Sequence, residues 1–151
     1  MRFQKVLKLP VISNLPPNFK ECGECQKCCE GWVAGTAFGI PFHPHKPCTF
    51  LQGKCLVYNF RPDVCKKFFC AYSQGLFPDW MRPDKTNVLI SVQDWSKGQY
   101  LKVIACGVKI SENVMTEVQK FCSEQKCPCI LHDTDGSKII GPQEFITEIN
   151  Q

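Results

Sequence analysis

Eight cysteines between Cys22 and Cys70 constrain this chain more than any other feature. The stretch opens Cys22-Gly-Glu-Cys25-Gln-Lys-Cys28-Cys29, and Cys48, Cys55, Cys65 and Cys70 follow. A thiolate is the softest ligand a protein offers, and two-residue gaps gather successive sulfurs around one ion. Gly23 permits the tight turn that such a pair needs. The C-x2-C-x2-C run suits a [4Fe–4S] cluster, and a C-x2-C pair answered by later cysteines suits structural Zn²⁺. Eight thiols fill two four-coordinate sites, or one iron–sulfur site with four thiols left as shell or redox groups. Neighbouring residues do not readily present both side chains to one ion, so Cys28 and Cys29 are assigned to different sites.

The rival reading is a disulfide framework, because 12 cysteines in 151 residues is an unusual density. Three features oppose it. The chain is long enough to bury a core without covalent staples. The opening ten residues, Met1 to Pro10, contain no apolar run of signal-peptide length. The cysteines are also bunched rather than spread. A reducing cytoplasm with metal thiolates is therefore expected. The formal charge of +4 implies little, since two four-thiolate sites at −2 each would cancel it. Lys and Arg are scattered apart from Lys66-Lys67, so nucleic acid is not an expected partner. No apolar run reaches membrane-spanning length, which argues for a soluble protein.

Along the chain, residues 1–21 read as an arm, with Val6, Leu7 and Leu9 packed or paired and Pro16-Pro17 keeping the backbone extended. Gly31 to Pro41 is apolar with recurrent glycine; no Lys-Ser/Thr follows, which excludes a phosphate loop and leaves a buried strand or loop. His43 and His45 fall in a Pro-broken loop and are not needed as ligands, because the cysteines suffice. Gln52–Lys54 is read as a turn before a short strand to Tyr58, and Pro62 starts a helical turn to Phe69. On that turn Arg61 shares a face with Cys65, where it can hydrogen-bond the sulfurs or fix loop carbonyls. Residues 71–86 read as a connector. Beyond them the pattern predicts a hairpin of Val88–Gln93 and Tyr100–Ala105 about Ser96-Lys-Gly98. A helix follows from an N-cap at Ser111 to about Glu124, then short strands around Asp133–Gly136 and a last helix from Pro142 to Ile149.

The cysteine segment also resembles a known family. CxxCxxCC, Cys48-x-Phe-Leu51, Cys55-x2-Tyr58, Arg61-Pro62-x2-Cys65 and Phe69-Cys70 are similar to the YkgJ-type cysteine-cluster proteins, described as zinc- or iron-chelating. The resemblance covers about residues 22–70, with a short gap between Cys29 and Cys48 as its departure; the chain beyond about residue 80 has no counterpart. It implies a metal site built from Cys22, Cys25, Cys28, Cys29, Cys48, Cys55, Cys65 and Cys70, holding zinc or an iron–sulfur cluster, with Tyr58 beside Arg61 around it. A related cysteine segment occurs in flagellin lysine methylases, which extends the implication to protein modification.

Four cysteines remain. Cys106, in an apolar strand, reads as a small buried hydrophobe. Cys122, Cys127, Cys129 and His132 are spaced to supply an additional site of three thiolates and one imidazole. Cys127-Pro-Cys129 is also a redox pair by composition, although one intervening residue strains a direct disulfide. Signatures of common enzymes (HExxH, GxSxG, GxGxxG) are absent, and Asp133–Gly136 lacks the ligand spacing of a calcium loop.

The expectation is an α+β chain: a small, irregular, metal-stabilised cysteine-rich region over 1–80, with a β-hairpin and helix segment over 81–151 packed on it as one continuous domain. The expected function is metal binding through eight cysteines, with zinc and iron–sulfur both open. The alternative is an iron–sulfur oxidoreductase or protein-modifying enzyme using the cluster for redox chemistry or substrate positioning. A protein partner or substrate is expected, its identity unspecified.

Overall fold

A computed structural model describes Cys25, Lys27, Glu30, Trp32, residues 35–43, 46–52, Leu56 and residues 70–151. Within them the chain is mixed α and β, as expected. The arm over 1–21, the turn and strand expected from Gln52 to Tyr58 and the helical turn from Pro62 fall largely or wholly outside the described residues. Leu56 alone is described in the middle of that stretch, in an exposed turn with its N–H donated to the Phe50 carbonyl at 2.9 Å.

The C-terminal body is a four-stranded sheet whose spatial order follows the chain: β3 (Val88–Trp95), β4 (Gly98–Ala105), β5 (Cys129–Asp133) and β6 (Gly136–Ile140). Strands β3 and β4 form the expected hairpin, longer than predicted and closed at Trp95 opposite Gly98. Helix α2 (Glu112–Gln125) then crosses over so that β5 lies parallel to β4, with Leu101 opposite Cys129 and Val103 opposite Leu131. Strand β6 returns antiparallel to β5. A parallel neighbour needs a crossover connection, and α2 is of the length such a unit requires. Ser111 caps it as predicted, its hydroxyl accepting the Val114 N–H at 3.3 Å.

Alternation sorts the strands into two faces. Val88, Ile90, Val92, Leu101, Val103, Ala105, Cys129 and Leu131 form the first face and pack against Val114 and Val118 of α2. Ala71 and Phe77, which precede residue 81, belong to this same core. The second face carries Leu89 at one end of β3 and Trp95 with Tyr100 at the hairpin end. Phe145 of α3 (Gln143–Ile149) is fully buried against those two rings, with centroids 5.1 Å away in each case. Close docking of α3 uses Gly141, where a Cβ would lie 2.8 Å from Pro128 and 2.9 Å from Phe145. Polar contacts fasten the same helix to the hairpin tip: Glu148 accepts from the Ser96 amide at 2.9 Å and from its hydroxyl, and Glu144 pairs with Lys97.

Ahead of this body, the Gly-rich apolar stretch forms a small hairpin of β1 (Gly35–Ala37) and β2 (Ile40–Phe42). Its turn places Phe38 and Gly39 at positive φ (51° and 82°), a conformation that glycine adopts freely. The expected connector holds a 3₁₀ turn (Asp79–Met81) and the one-turn helix α1 (Pro83–Thr86), the latter starting with Pro at its first position. No helix among the described residues is long and apolar enough to cross a membrane.

Candidate functional site

Cys70 enters the body at the edge of β3. The Ala71 N–H donates to the Ile90 carbonyl at 2.7 Å, which continues the sheet by one contact. Ala71 then faces the first core, whereas Cys70 joins Leu89 and Cys106 on the second face. Trp32 and Tyr72 pack over this group. Cys106 follows the last residue of β4, and its N–H donates to the Asn87 carbonyl at 2.8 Å. Gly107 comes next at φ +83°, with Trp32 3.9 Å from where its Cβ would stand. The C-terminal sheet therefore supplies the seat on which part of the cysteine segment rests.

Cys25 lies in the same neighbourhood. Its thiol is half-buried, and burial pushes it up to about 11, against the opposing effect of main-chain N–H groups of Lys27 and Asp84 that bond to its sulfur. The charges of Asp84 and Cys70 also act on it. Asp84 sits in the single turn of α1 and is held by Arg82 through two hydrogen bonds, at 2.5 and 2.7 Å. That fork holds the Asp84 carboxyl below the ordinary carboxylate range and raises the Arg82 guanidinium. Lys27, two residues beyond Cys25, pairs with Glu30 at 3.2 Å. Cys25 and Cys70, from the two halves of the cysteine-rich stretch, thus lie near enough for the charge of one to act on the other.

Cys106 was read as a buried apolar thiol, and its surroundings are those of a hydrogen-bonded one. Burial raises it to about 11, its sulfur receives the Leu89 N–H, and its S–H points to the Ile104 carbonyl at 3.7 Å. Alternation alone could have found its face, since Ala105 faces α2 and the next residue turns to the second face; what packs there is set by the edge contact of Ala71 with Ile90. No sequence signal pointed to Trp32 or Asp84, whose roles depend on how distant segments meet.

Cys48, another expected ligand, is buried in a separate small cluster with Ala37, Phe42, Phe50 and Leu51. His43 is exposed and makes a two-way main-chain bridge with Lys46, each N–H reaching the other's carbonyl at 2.8 Å. Cys22, Cys28, Cys29, Cys55 and Cys65, with Tyr58, Arg61 and His45, lie outside the described residues. Among the described residues, no group of three or more His, Cys, Asp or Glu side chains is arranged to hold a metal ion.

The second thiol grouping is at the end of α2. Cys122, Cys127 and Cys129 share the first core, and Cys122 is in hydrogen-bonding contact with both of the others. Cys127 and burial push the Cys122 thiol up to about 12, against the lowering effect of Cys129; Cys122 and burial raise Cys129 strongly. His132 does not join them. It is three residues along β5 from Cys129, and so on the opposite face, where its Nδ1 meets the Ser137 hydroxyl at 2.9 Å. Partial burial, with Lys102 nearby, lowers its basicity. The additional site of three thiolates and His132 is therefore not formed, because strand alternation separates the imidazole from the sulfurs.

The chain matches no family model, no curated protein and no solved structure.

Proposed function

We propose that the protein binds zinc or an iron–sulfur cluster through Cys22, Cys25, Cys28, Cys29, Cys48, Cys55, Cys65 and Cys70, in a reducing compartment such as the cytoplasm. The observation that supports this reading most is the environment of Cys25. Its sulfur accepts the N–H of Lys27, two residues on, and a second N–H from α1, with Cys70 close by. Main-chain N–H groups aimed at a cysteine sulfur stabilise its thiolate, the form that binds a metal, and here they act against the burial that pushes the thiol up to about 11. Hydrogen bonds of this kind also tune metal–thiolate centres. Cys25 and Cys70 are far apart in the chain, so an ion held between their segments would fasten the cysteine-rich stretch to the sheet. The resemblance to cysteine-cluster chelators points the same way, and it leaves zinc and iron–sulfur equally open.

Anaerobic purification followed by elemental analysis tests the proposal. A brown protein with iron and acid-labile sulfide identifies the iron–sulfur form and opens redox or protein-modifying chemistry; a colourless one with about two zinc ions identifies closed structural sites. Retention of neither metal, in a protein that folds normally in chelator with all its cluster thiols free to react, overturns the proposal.

A further inference from the structure

Between its two covers the second face of the sheet carries a polar strip. Val92, Leu101, Val103 and Leu131 pack toward α2, so Ser91, Lys102 and His132 face the other way. Register gathers them from neighbouring strands. Ser91 of β3 is directly opposite Lys102 of β4, and Lys102 is opposite Ile130 of β5. His132 stands two residues beyond Ile130 and is opposite Ser137 of β6. Opposite and diagonal positions on one face are within reach of a long side chain, which puts the Lys102 ammonium between Ser91 and His132. Its charge acts on the His132 ring.

Lys102 is half-buried on an interior strand, and no carboxylate pairs with it among the described residues. The strand positions of this face carry no Asp or Glu. Carboxylates of the covering segments are engaged elsewhere: Glu144 with Lys97, Glu148 with Ser96 and Glu30 with Lys27. A charge withdrawn from water is offset by an opposite charge or by hydrogen bonds, and this one lacks the first. Two further donors adjoin it. Ser91 is 7% exposed; its hydroxyl accepts from the Gln93 side-chain amide at 3.1 Å, and its own proton has no acceptor among the described residues. His132 Nδ1 meets the Ser137 hydroxyl at 2.9 Å. When Ser137 donates in that bond, the neutral ring carries its proton on Nε2, which is then a donor.

We propose that Lys102, His132 and Ser91 form a binding site for an oxyanion of the phosphate class, Lys102 supplying the charge and the other two the hydrogen bonds. Phosphate oxygens accept from several directions, which suits an ammonium with three donors beside a hydroxyl and an imidazole. The site uses none of the proposed metal ligands, so it stands or falls separately from metal binding. Free phosphate and a phosphoryl group on a small organic molecule present the same oxygens to it.

The test is a titration of the full-length, reduced protein at about pH 7.5, where the His132 ring, its basicity lowered by burial and Lys102, is neutral. Inorganic phosphate and phenyl phosphate are added in parallel against chloride at matched ionic strength. Imidazole resonances of the three histidines, His43, His45 and His132, are assigned through His→Gln variants and followed by NMR. A saturable shift is expected at His132 and not at His43 or His45. Lys102→Met is expected to weaken binding at least about tenfold, and Ser91→Ala by a smaller factor. Tighter binding of phenyl phosphate assigns the site to a phosphorylated organic ligand; equal or weaker binding assigns it to the free ion. Circular dichroism checks that Lys102→Met folds, and Lys102→Gln takes its place if it does not. The proposal is overturned if neither probe shifts His132 saturably, or if half-saturation is unchanged in the folded Lys102 variant.

Discussion

The two faces of the four-stranded sheet are covered in different ways. The first face is closed by α2, which lies between β4 and β5 in the chain, so its cover is local and of well-defined periodicity. The second face is closed in two pieces: Phe145 of α3 at the hairpin tip, and Trp32, Cys70 and Tyr72 at the other end. That second piece comes from the cysteine-rich part of the chain. The contrast teaches that the α/β body supplies one complete core and lends its other surface to the thiol segment. A metal held by that segment would therefore act on the second face and leave the first one standing.

Four outcomes sharpen or break this comparison. The largest effect is expected from metal removal. Chelation under reducing conditions should expose Cys106 to alkylation and shift Trp32 fluorescence while the α2 helical signal survives, with a loss on the order of several kcal/mol confined to the cysteine segment. Simultaneous collapse of both signals would show that the two faces are one cooperative unit. Next come Leu101→Ala and Leu89→Ala, each removing a side chain at most 1% exposed and each expected to cost about 2–5 kcal/mol in denaturant unfolding. Only Leu89→Ala should raise the alkylation rates of Cys70 and Cys106; equal rates in the two variants would dissolve the distinction between faces.

Ser111→Ala removes the acceptor for the Val114 N–H and should cost about 1 kcal/mol. Its effect belongs to the first face, so hydrogen exchange should quicken in the first turn of α2 and not around Cys106. The smallest effect concerns Asp133. Desolvation opposes its ionisation, but the N–H groups of Ile110 and Thr134, at 3.0 and 2.8 Å, together with Lys109, hold its carboxyl below the ordinary range. Because its folded value is depressed, the stability it adds is present above the unfolded value of about 3.9 and is lost as pH falls through the folded one. Asp133→Asn should thus be slightly less stable than the parent at neutral pH, with the gap narrowing below about pH 4. A gap that stays constant into acid would mean that the ionised carboxylate contributes nothing.

Legibility in the sequence varied with the range of the interaction. The hairpin around Ser96-Lys97, the Ser111 cap and the helix from Pro142 were readable because turn residues, capping hydroxyls and period-2 or period-3.6 patterns act over a few positions. The parallel pairing of β4 with β5 had no local mark. Proposing His132 as a partner for Cys122, Cys127 and Cys129 went astray because spacing along a strand was read without its alternation; one residue's difference in parity moves a side chain to the other side of the sheet. Cys106 was correctly read as buried, yet its position beside Cys70 depends on an edge contact between Ala71 and Ile90.

By itself, then, the sequence determined the chemistry on offer: a dense set of soft ligands before residue 71, and an amphipathic α/β segment after it. Residue type and short-range periodicity suffice for that, since softness, helix caps and strand alternation are local properties. Which thiols meet was decided only in three dimensions. Cys25 lies near Cys70, which the β3 edge seats, and Cys122, Cys127 and Cys129 share the first core because a left-handed cap turns the chain at the end of α2. Neither grouping can be read from separation in sequence, because each is set by the packing of elements on a sheet whose strand order the local pattern does not encode.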